Sequence, residues 1–345
     1  MAVLLPRPRL LAADSVPSLR WGVIGTGIAG PFVSALHAHT NQRAVAVAAR
    51  DPDKTEAFAR TYGIATVHPD PSALTSDPEV DAVYVATPHP LHREQALAAI
   101  AAGKHVLIEK PIAMSAAEAR EITDAGRAAG VLVQEAMWTR YLPQSDILRQ
   151  VLADGLLGDV RLVRADFGFV FPYDPGHRLW NPELGGGALL DAGVYPISFA
   201  SSVLGAPTSV TAAGSSSPAG VDERADLLLT SAGATALAST SLVTALPVTA
   251  SVLGSEGRLD VLSPFFGPTG VTLTTGSTDA EETATWRDKR FAQLHEGLSY
   301  QASYFASYVG EGRVESPLHG HAETVSVMAT IDEARRQIAA ASPGR

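Results

Sequence analysis

Short apolar strands alternate with helices over residues 20–136, and this alternation restricts the fold more than any other feature of the chain. The strand-like runs are LRWGVIG, RAVAVAAR, VDAVYVATP, KHVLIEKP and VLVQEA, and the segments between them carry apolar residues at helical spacing. Strands that are apolar on both faces occur in parallel sheets that helices cover on both sides. The pattern therefore predicts a doubly wound parallel α/β domain.

The turn after the first predicted strand contains Gly25, Gly27 and Gly30 in G-x-G-x-x-G spacing. In this motif the first glycine allows a tight turn, the second lets backbone amides approach a pyrophosphate, and the third lets the helix pack closely on the sheet. The N–H groups at the start of that helix then bind phosphate. A strand before the glycines and a helix after them favour a dinucleotide-binding Rossmann domain over a plain strand-to-helix turn.

The end of the second predicted strand indicates which dinucleotide is bound. NAD enzymes place an acidic side chain about 20 residues after the glycines, where it binds the ribose hydroxyls. Here Ala49 occupies that position and Arg50 follows it. A guanidinium pairs with a 2′-phosphate and stacks on adenine, whereas Asp51 stands before Pro52 in the position of a helix cap. The sequence therefore predicts NADP rather than NAD as the cofactor.

The composition excludes several classes of function. A chain of 345 residues is long enough for about two domains, and 46% apolar residues suffice for full-sized cores. The net charge of −10, without any Lys- or Arg-rich run, argues against nucleic acid or an anionic membrane as partner. The absence of cysteine excludes disulfides and thiolate ligands, and no metal site is predicted.

The first residues carry no readable targeting signal. Residues 1–18 lack the unbroken apolar core of a secretory signal, because prolines and arginines interrupt it at positions 6–9. We interpret residues 1–18 as a flexible N-terminal extension. No stretch of the chain reaches the roughly 18 uncharged apolar residues that a membrane span requires, and a cytoplasmic protein is expected.

The second half of the chain has a different organisation. A helix that ends at Gly155 and the strand GDVRLVRADFGFVF precede a loop, PYDPGHRLWNPELGGG, and an apolar helical segment, ALLDAGVYPISFASSVLG. Short strand-like runs with Gly- and Ser-rich turns follow, which is typical of an antiparallel meander, and two helices close the chain. We therefore predict a dinucleotide-binding domain over residues 19–136. Residues 137–345 are predicted to form an α+β domain with an open, mostly antiparallel sheet, whose last helices return to cover one domain.

Charged and polar residues follow two neighbouring strands of the predicted parallel sheet. Ligands of such sheets bind beyond the carboxyl ends of the strands, which puts Lys110 where the nicotinamide end of a dinucleotide would lie. For His89 and His92, a helix-capping or solvated role agrees with the sequence as well as a catalytic one. The residues predicted to contact the cofactor are Gly25, Thr26, Gly27, Ile28, Gly30, Arg50, Ala86, Thr87, Pro88, His89, His92, Glu109 and Lys110.

The run ELGGGALLDAGVYP contains a second candidate group, Asp191 and Tyr195. The two residues are four positions apart and share one face if the segment is helical. The three glycines before them permit close approach of backbone or ligand. A tyrosine and a carboxylate facing a strand-end lysine suit proton transfer in carbonyl–alcohol chemistry, whereas periodicity alone favours Tyr195 as a core aromatic residue.

The runs GVIGTGIAG, VATPHPLH, EKP and GGGALLDAGVYP occur in the order and spacing of the Gfo/Idh/MocA family of NAD(P)-dependent oxidoreductases, which the chain resembles from Leu19 onward. The run EAMWTRYLP resembles the branch with dimeric dihydrodiol dehydrogenase, NADP-dependent D-xylose 1-dehydrogenase and glucose–fructose oxidoreductase. The resemblance implies that Lys110 is the central catalytic residue and that Asp191 and Tyr195 complete the site. It also implies that the EKP proline is cis and that the C-terminal sheet mediates assembly into a homodimer or homotetramer. Many relatives, inositol dehydrogenases among them, have histidine in place of Tyr195, which disfavours an inositol substrate.

The resemblance and the residues together predict hydride transfer between NADP and a hydroxyl-bearing carbon of a sugar, polyol or cyclic trans-diol. Lys110 would hold the substrate oxygen, Tyr195 would exchange the proton, and Asp191 would orient the substrate or the lysine. Residues predicted to line the substrate, each equally suited to packing at a domain interface, are Trp138, Arg140, Tyr173, Arg178 and Trp180. Two alternatives stay open: a sugar–sugar oxidoreductase with tightly bound NADP, and a non-catalytic NADP-sensing regulator.

Overall fold

The computed structural model of the chain describes residues 4–276 and 280–341, which divide into two compact units. Residues 10–141 and 291–325 form the N-terminal unit. The described parts of residues 1–9, 142–290 and 326–345 form the C-terminal unit. The division after residue 141 lies close to residue 136, where the sequence pattern changes. The segment 291–325, far along the chain, belongs with the N-terminal unit.

The regular elements have the following bounds. The strands are β1 (Arg20–Ile24), β2 (Arg43–Ala48), β3 (Thr66–His68), β4 (Ala82–Val85), β5 (His105–Ile108), β6 (Val133–Glu135), β7 (Val160–Gly168), β8 (Ser209–Ser216), β9 (Asp222–Ser231), β10 (Ala234–Ser241), β11 (Ala250–Gly254), β12 (Gly257–Val261), β13 (Gly270–Thr275) and β14 (Glu282–Arg287). The α-helices are α1 (Ala29–His39), α2 (Pro52–Tyr62), α3 (Pro71–Thr75), α4 (His92–Ala101), α5 (Ala116–Ala129), α6 (Pro143–Ala153), α7 (Val194–Leu204), α8 (Leu298–Gly310) and α9 (His321–Ala341). A π-helical turn, Leu189–Gly193, leads directly into α7.

Six parallel strands form the sheet of the N-terminal unit, in the order β3-β2-β1-β4-β5-β6. The doubly wound parallel sheet predicted from the sequence is therefore confirmed. Trp21, Val23 and Ile24 of β1 are almost completely buried, because β1 lies inside the sheet between β2 and β4. The strand order reverses between β1 and β4, and open α/β sheets bind their ligands at such a reversal.

An eight-stranded sheet forms the centre of the C-terminal unit, in the order β14-β13-β12-β11-β7-β10-β9-β8. Its pairings are antiparallel except that of β7 with β10. The mostly antiparallel sheet predicted from the sequence is confirmed. The sequence pattern did not reveal that β7 lies between two meanders, because both of its partners follow much later in the chain. Helix α7 packs against β7 and β10.

One described stretch, Pro182–Leu204, is long and apolar enough to be a candidate for crossing a membrane, although it carries Glu183 and Asp191. These 23 residues pass that test by length and composition, and 78% of their most apolar window is buried inside the protein. The stretch ends in α7, which packs on the sheet of the C-terminal unit. Its apolar character therefore serves the core of that unit.

The described part of the N-terminal extension is hydrogen-bonded near both ends. The backbone N–H of Arg9 donates to Asp146 Oδ2 at 2.7 Å, and the Gln150 amide donates to the Arg7 carbonyl at 2.9 Å. Closer to β1, the Ser18 hydroxyl donates to the Asn41 carbonyl at 2.7 Å.

Candidate nucleotide-binding and catalytic site

The turn between β1 and α1 lies against the end of β4. Gly25 has a φ of +97°, and a Cβ there would lie 2.5 Å from the Ala86 carbonyl oxygen and 3.0 Å from a Thr87 methyl group. The Gly25 N–H donates to the Ala48 carbonyl of β2 at 2.9 Å. Only glycine fits this position, because its conformation is left-handed and the neighbouring backbone leaves no room for a side chain. The structure thus brings Gly25, Ala86 and Thr87 together at the reversal of strand order.

The start of α1 has the features that a dinucleotide pyrophosphate requires. A Cβ on Gly27 would meet nothing within 4 Å, so the backbone is open on the side where a ligand approaches. Among the residues that the structure describes, no side chain caps the helix, whose N-cap residue is the exposed Ile28. The unpaired N–H groups and the positive end of the helix dipole suit a phosphate at this position.

The third glycine of the motif has a different neighbour from the one predicted. A Cβ on Gly30 would lie 2.5 Å from the hydroxyl of Tyr62, which is the last residue of α2. The absence of a side chain at Gly30 therefore makes room for a neighbouring helix, rather than for contact between α1 and the sheet.

Arg50 is exposed at the end of β2, and Asp51 beside it caps α2 as predicted. The Asp51 carboxylate accepts the Lys54 N–H at 3.1 Å, and Pro52 occupies the first position of the helix. This hydrogen bond is the main reason that the pKa of Asp51 is lowered. The carboxylate therefore serves the helix, whereas the side chain of Arg50 is exposed after β2, the strand that pairs with β1.

Lys110 follows β5 directly and is half-buried in a tightly held loop. The Lys110–Pro111 peptide bond is cis, as the resemblance implied. The preceding residue, Glu109, is buried, accepts a hydrogen bond from the Tyr84 hydroxyl, and receives the Lys110 N–H at 3.3 Å. Burial raises the pKa of Glu109, while Tyr84 and the positive charge of Lys110 oppose the rise.

His92 connects the loops that follow β4 and β5. Its ring is fully buried, with Nδ1 2.9 Å from the Pro111 carbonyl and Nε2 2.8 Å from the Thr87 carbonyl. Burial lowers the pKa of His92. Both ring nitrogens lie against backbone carbonyls, so His92 holds the two loops together, and its predicted contact with the cofactor stays a prediction. His89 is also buried and packs edge-on against His92 at 5.7 Å between ring centroids.

In the C-terminal unit, Asp191 and Tyr195 occupy different surroundings. Asp191 lies in the π-helical turn and pairs with Arg178 at 2.8 Å. Tyr195, in the first turn of α7, is largely buried, with its ring 5.6 Å from that of Phe167 and 5.4 Å from that of Phe266. Arg178, predicted to line the substrate, is thus a partner of the predicted catalytic carboxylate.

The glycines before Asp191 make room for protein groups. A Cβ on Gly186 would lie 2.7 Å from the Leu179 carbonyl, and one on Gly187, with φ +118°, would lie 2.5 Å from Asp222 Oδ1. Asp222 is buried and its Oδ2 accepts the Leu189 N–H at 2.6 Å. Asp222 therefore supports the Asp191 turn from β9. Sequence reasoning missed it because nothing local marks an aspartate at the start of a strand as a helix support.

Replacing Asp222 with asparagine is expected to change how stability depends on pH. Burial raises the pKa of Asp222 from 3.8 to about 6. Between pH 3.8 and about 6, Asp222 is therefore more often protonated in the folded protein than in the unfolded chain. The free energy of unfolding of the wild type falls as pH rises through this range. Asparagine does not titrate. The free energy of unfolding of Asp222→Asn, relative to that of the wild type, should therefore rise by up to about 3 kcal/mol between roughly pH 4 and pH 7. Urea unfolding of both proteins at about pH 4 and about pH 7 measures this change. The same difference in unfolding free energy between variant and wild type at the two pH values would contradict the prediction.

The other residues predicted to line the substrate are divided between the units. In the N-terminal unit, Trp138 is buried, and its ring stacks on that of His295 with 6.4 Å between centroids. Arg140 is also buried, and its guanidinium donates to Glu323 Oε1 at 2.5 Å. In the C-terminal unit, Tyr173 is exposed and meets the Trp180 ring edge-on at 5.3 Å.

Trp180 lies in the interior of the C-terminal unit. Its indole N–H donates to the Pro172 carbonyl at 2.8 Å, and its ring belongs to a buried cluster with Leu179, Val221 and Leu242. Its contacts are those of a packing residue. Among the described residues, no three His, Asp or Glu side chains form a group suited to a metal ion.

Comparison with known proteins assigns the chain to a family. Residues 19–137 match an oxidoreductase family with an NAD-binding Rossmann fold, and residues 146–260 match the GFO/IDH/MocA C-terminal domain. The chain is 35% identical over 330 residues to trans-1,2-dihydrobenzene-1,2-diol dehydrogenase of Xenopus laevis, covering 94% of this chain and 99% of that protein. The chain belongs to the GFO/IDH/MocA family of oxidoreductases. The human protein of the same name is 34% identical over 332 residues, covering 94% and 98% of the two chains.

Two solved structures extend the comparison. A 3-ketoreductase from Actinomadura kijaniata, in complex with NADP and TDP-benzene, gives a TM-score of 0.81 at 29% identity, over 93% of this chain and 98% of that one. A levoglucosan dehydrogenase, in complex with NADH and levoglucosan, gives 0.86 at 21% identity, over 94% and 98%, which supports the fold alone. This GFO/IDH/MocA protein is an NAD(P)-binding oxidoreductase, and the relatives it matches include a trans-dihydrodiol dehydrogenase and a 3-ketoreductase.

Proposed function

We propose that this oxidoreductase is an NADP-dependent dehydrogenase of a secondary hydroxyl group on a cyclic trans-diol, sugar or polyol. The observation that carries the proposal is Lys110, at the end of β5 and one strand beyond the reversal of strand order. Its loop is held by the His92 ring and by the buried Glu109. A rigidly placed ammonium beside a nicotinamide site suits a substrate oxygen that gains or loses a proton during hydride transfer.

The nicotinamide, when bound, accepts or supplies the hydride. Gly25, Gly27 and the free start of α1 would hold the pyrophosphate. The Lys110 ammonium would bind the substrate oxygen and favour loss of its proton. Tyr195 would take up that proton in oxidation and return it in reduction. Asp191, fixed by Arg178, would orient the substrate.

The substrate class rests on the side chains proposed to surround it and on the relatives. Trp138 and Tyr173 offer aromatic faces, and Arg178 offers a planar set of donors, which suit a ring with several hydroxyl groups. Relatives at about 35% identity are named for the oxidation of a trans-dihydrodiol. A trans-diol on a six-membered ring and a pyranose share the feature that such a site would recognise, which is two adjacent secondary hydroxyls.

A panel assay tests the proposal. Purified protein would be mixed with NADP or NAD and with trans-dihydrodiols, aldoses, anhydrosugars or inositols, and cofactor reduction would be followed by absorbance. We expect turnover with at least one diol or sugar and a preference for NADP. A protein that binds the cofactor but reduces it with none of these compounds would refute the proposal.

Replacing Arg50 with alanine is expected to weaken NADP binding about ten- to a hundredfold and to change NAD binding little. The lost interaction is one charge-assisted contact to the 2′-phosphate, on the order of 1.5–3 kcal/mol. Titration of cofactor fluorescence gives both affinities. Arg60→Ala is the matched control, because Arg60 is exposed on α2 and pairs with Glu56. Equal losses for NADP and NAD, or a wild-type preference for NAD, would refute the NADP assignment.

A homodimer or homotetramer formed through the outer face of the C-terminal sheet completes the proposal. Leu228 of β9 and Leu237 of β10 are paired in register and remain exposed on that face. Two leucines side by side on an exposed strand face favour a covered surface. The cytoplasmic location predicted from the sequence stays a prediction.

A further inference from the structure

Glu135, the last residue of β6, is buried beside the loop that carries Lys110. Its Oε1 accepts the backbone N–H of Ile112 at 2.9 Å. The carbonyl of Pro111, one residue earlier, lies 2.9 Å from the His92 ring. The two residues after Lys110 are therefore fixed from both sides, by Glu135 from β6 and by His92 from α4.

The second oxygen of Glu135 faces a buried and uncharged ring. Glu135 Oε2 lies 3.7 Å from His319 Nε2 and has no hydrogen-bond partner among residues 4–276 and 280–341. His319 is completely buried, and burial holds its pKa well below the usual value. A neutral ring at this distance does not satisfy a carboxylate, so one oxygen of Glu135 lacks the hydrogen bond that a buried oxygen needs.

The titratable and charged groups that face Glu135 come from three parts of the N-terminal unit. Lys110 and Glu109 belong to the loop after β5, Arg140 belongs to the 3₁₀ turn after β6, and His319 precedes α9. The pKa of Glu135 is raised to about 7, mainly by burial and also by the charge of Glu109, while the Ile112 N–H, Arg140 and Lys110 oppose the rise. The Arg140 guanidinium is itself paired with Glu323.

We propose that Glu135 is a positioning residue for Lys110. The Glu135 carboxylate fixes the loop of Lys110 through the Ile112 N–H, and its charge governs how firmly the Lys110 ammonium keeps its proton. The functional consequence rests on the proposed role of Lys110 in proton transfer. An ionised Glu135 stabilises the ammonium, and a protonated Glu135 removes that stabilisation. Sequence reasoning had no signal for this role, because Glu135 and Lys110 come together only when β5 and β6 pair.

Competitive labelling of lysines tests the charge coupling without cofactor or substrate. The chain has four lysines, Lys54, Lys104, Lys110 and Lys289. Brief reaction of the full-length protein with acetic anhydride at a series of pH values, followed by mass spectrometry, gives a labelling midpoint for each. In Glu135→Gln, which keeps the acceptor for the Ile112 N–H, the Lys110 midpoint should fall on the order of one pH unit. A shift of this size is what the loss of one charge within roughly 10 Å of the ammonium would cause at an effective dielectric constant of about 20.

The controls separate this coupling from a general change of structure. Lys54 and Lys104 should keep their midpoints in Glu135→Gln. Glu118→Gln is the matched variant, since the Glu118 carboxylate also accepts a backbone N–H, that of Met114 at 3.0 Å, within the same β5–α5 connection. It should leave the Lys110 midpoint unchanged. An unchanged Lys110 midpoint in folded Glu135→Gln, or an equal shift in both variants, would overturn the proposal.

Activity then gives an independent readout. The pH profile of kcat should lose or shift its limb near neutral pH in Glu135→Gln, while the KM for the cofactor stays within a few-fold of wild type. An identical profile in the variant would count against the proposal. If the wild type oxidises none of the tested hydroxyl compounds, the proposed function fails, and the labelling result still decides whether Glu135 governs the charge of Lys110.

Discussion

Replacing Lys110 with methionine is expected to lower kcat at least a hundredfold while leaving the affinity for the dinucleotide within a few-fold of wild type. Methionine keeps much of the length of the side chain and removes its charge. The contacts that hold the loop come from His92, Glu109 and Glu135 to backbone atoms, so they survive the change. Loss of proton-transfer help and of an electrostatic contact typically costs 10²–10⁴ in rate.

Steady-state kinetics and cofactor titration separate the two effects. Lys54→Met is the matched control, because Lys54 is exposed and pairs with the cap residue Asp51. It should have wild-type kcat. If Lys110→Met keeps a kcat near wild type with the true substrate, the lysine is structural and the proposed mechanism is wrong. If the variant loses cofactor affinity in proportion to rate, Lys110 serves binding rather than the chemical step.

The N-terminal sheet was predictable because its signals are local. Each central strand is an apolar run bounded by turn residues, and Asp51 and Pro52 mark the start of helix α2 as its N-cap and first residue. The strand β3 is short and partly exposed, so it lacks such a run. In the C-terminal unit, the place of β7 depends on two strands that follow much later in the chain, and the sequence gives no measure of that pairing.

The residues of the candidate site also divide into those with a local sequence signal and those without one. Gly25, Arg50 and Lys110 could be proposed from the sequence because each follows a strand of a recognisable sheet, and the end of a strand in that sheet defines a place in space. Asp222 and Glu135 were missed because they act on backbone N–H groups, those of Leu189 and Ile112, that are distant in sequence. An aspartate or glutamate in a strand resembles any other until its partner is known, since burial and hydrogen bonding both depend on tertiary contacts.

Replacing Tyr195 with phenylalanine is expected to lower kcat at least about a hundredfold and to leave NADP affinity nearly unchanged. The substitution removes only the hydroxyl, so the ring keeps its packing against Phe167 and Phe266. A phenol has an ordinary pKa near 10 and is a weak base at neutral pH, but an ammonium close to it stabilises the phenolate and lowers that value. The proposal gives this part to Lys110, and general acid–base help is typically worth 10²–10⁴ in rate.

Two comparisons distinguish a catalytic hydroxyl from a packing effect. Phe167→Leu disturbs the same aromatic group and keeps the hydroxyl, so its kcat should fall much less than that of Tyr195→Phe. The double variant Lys110→Met/Tyr195→Phe should lose far less rate than the product of the single losses, because residues that serve one proton transfer are not additive. A Tyr195→Phe variant within a few-fold of wild type would return Tyr195 to the core of the C-terminal unit and leave Lys110 to handle the proton alone.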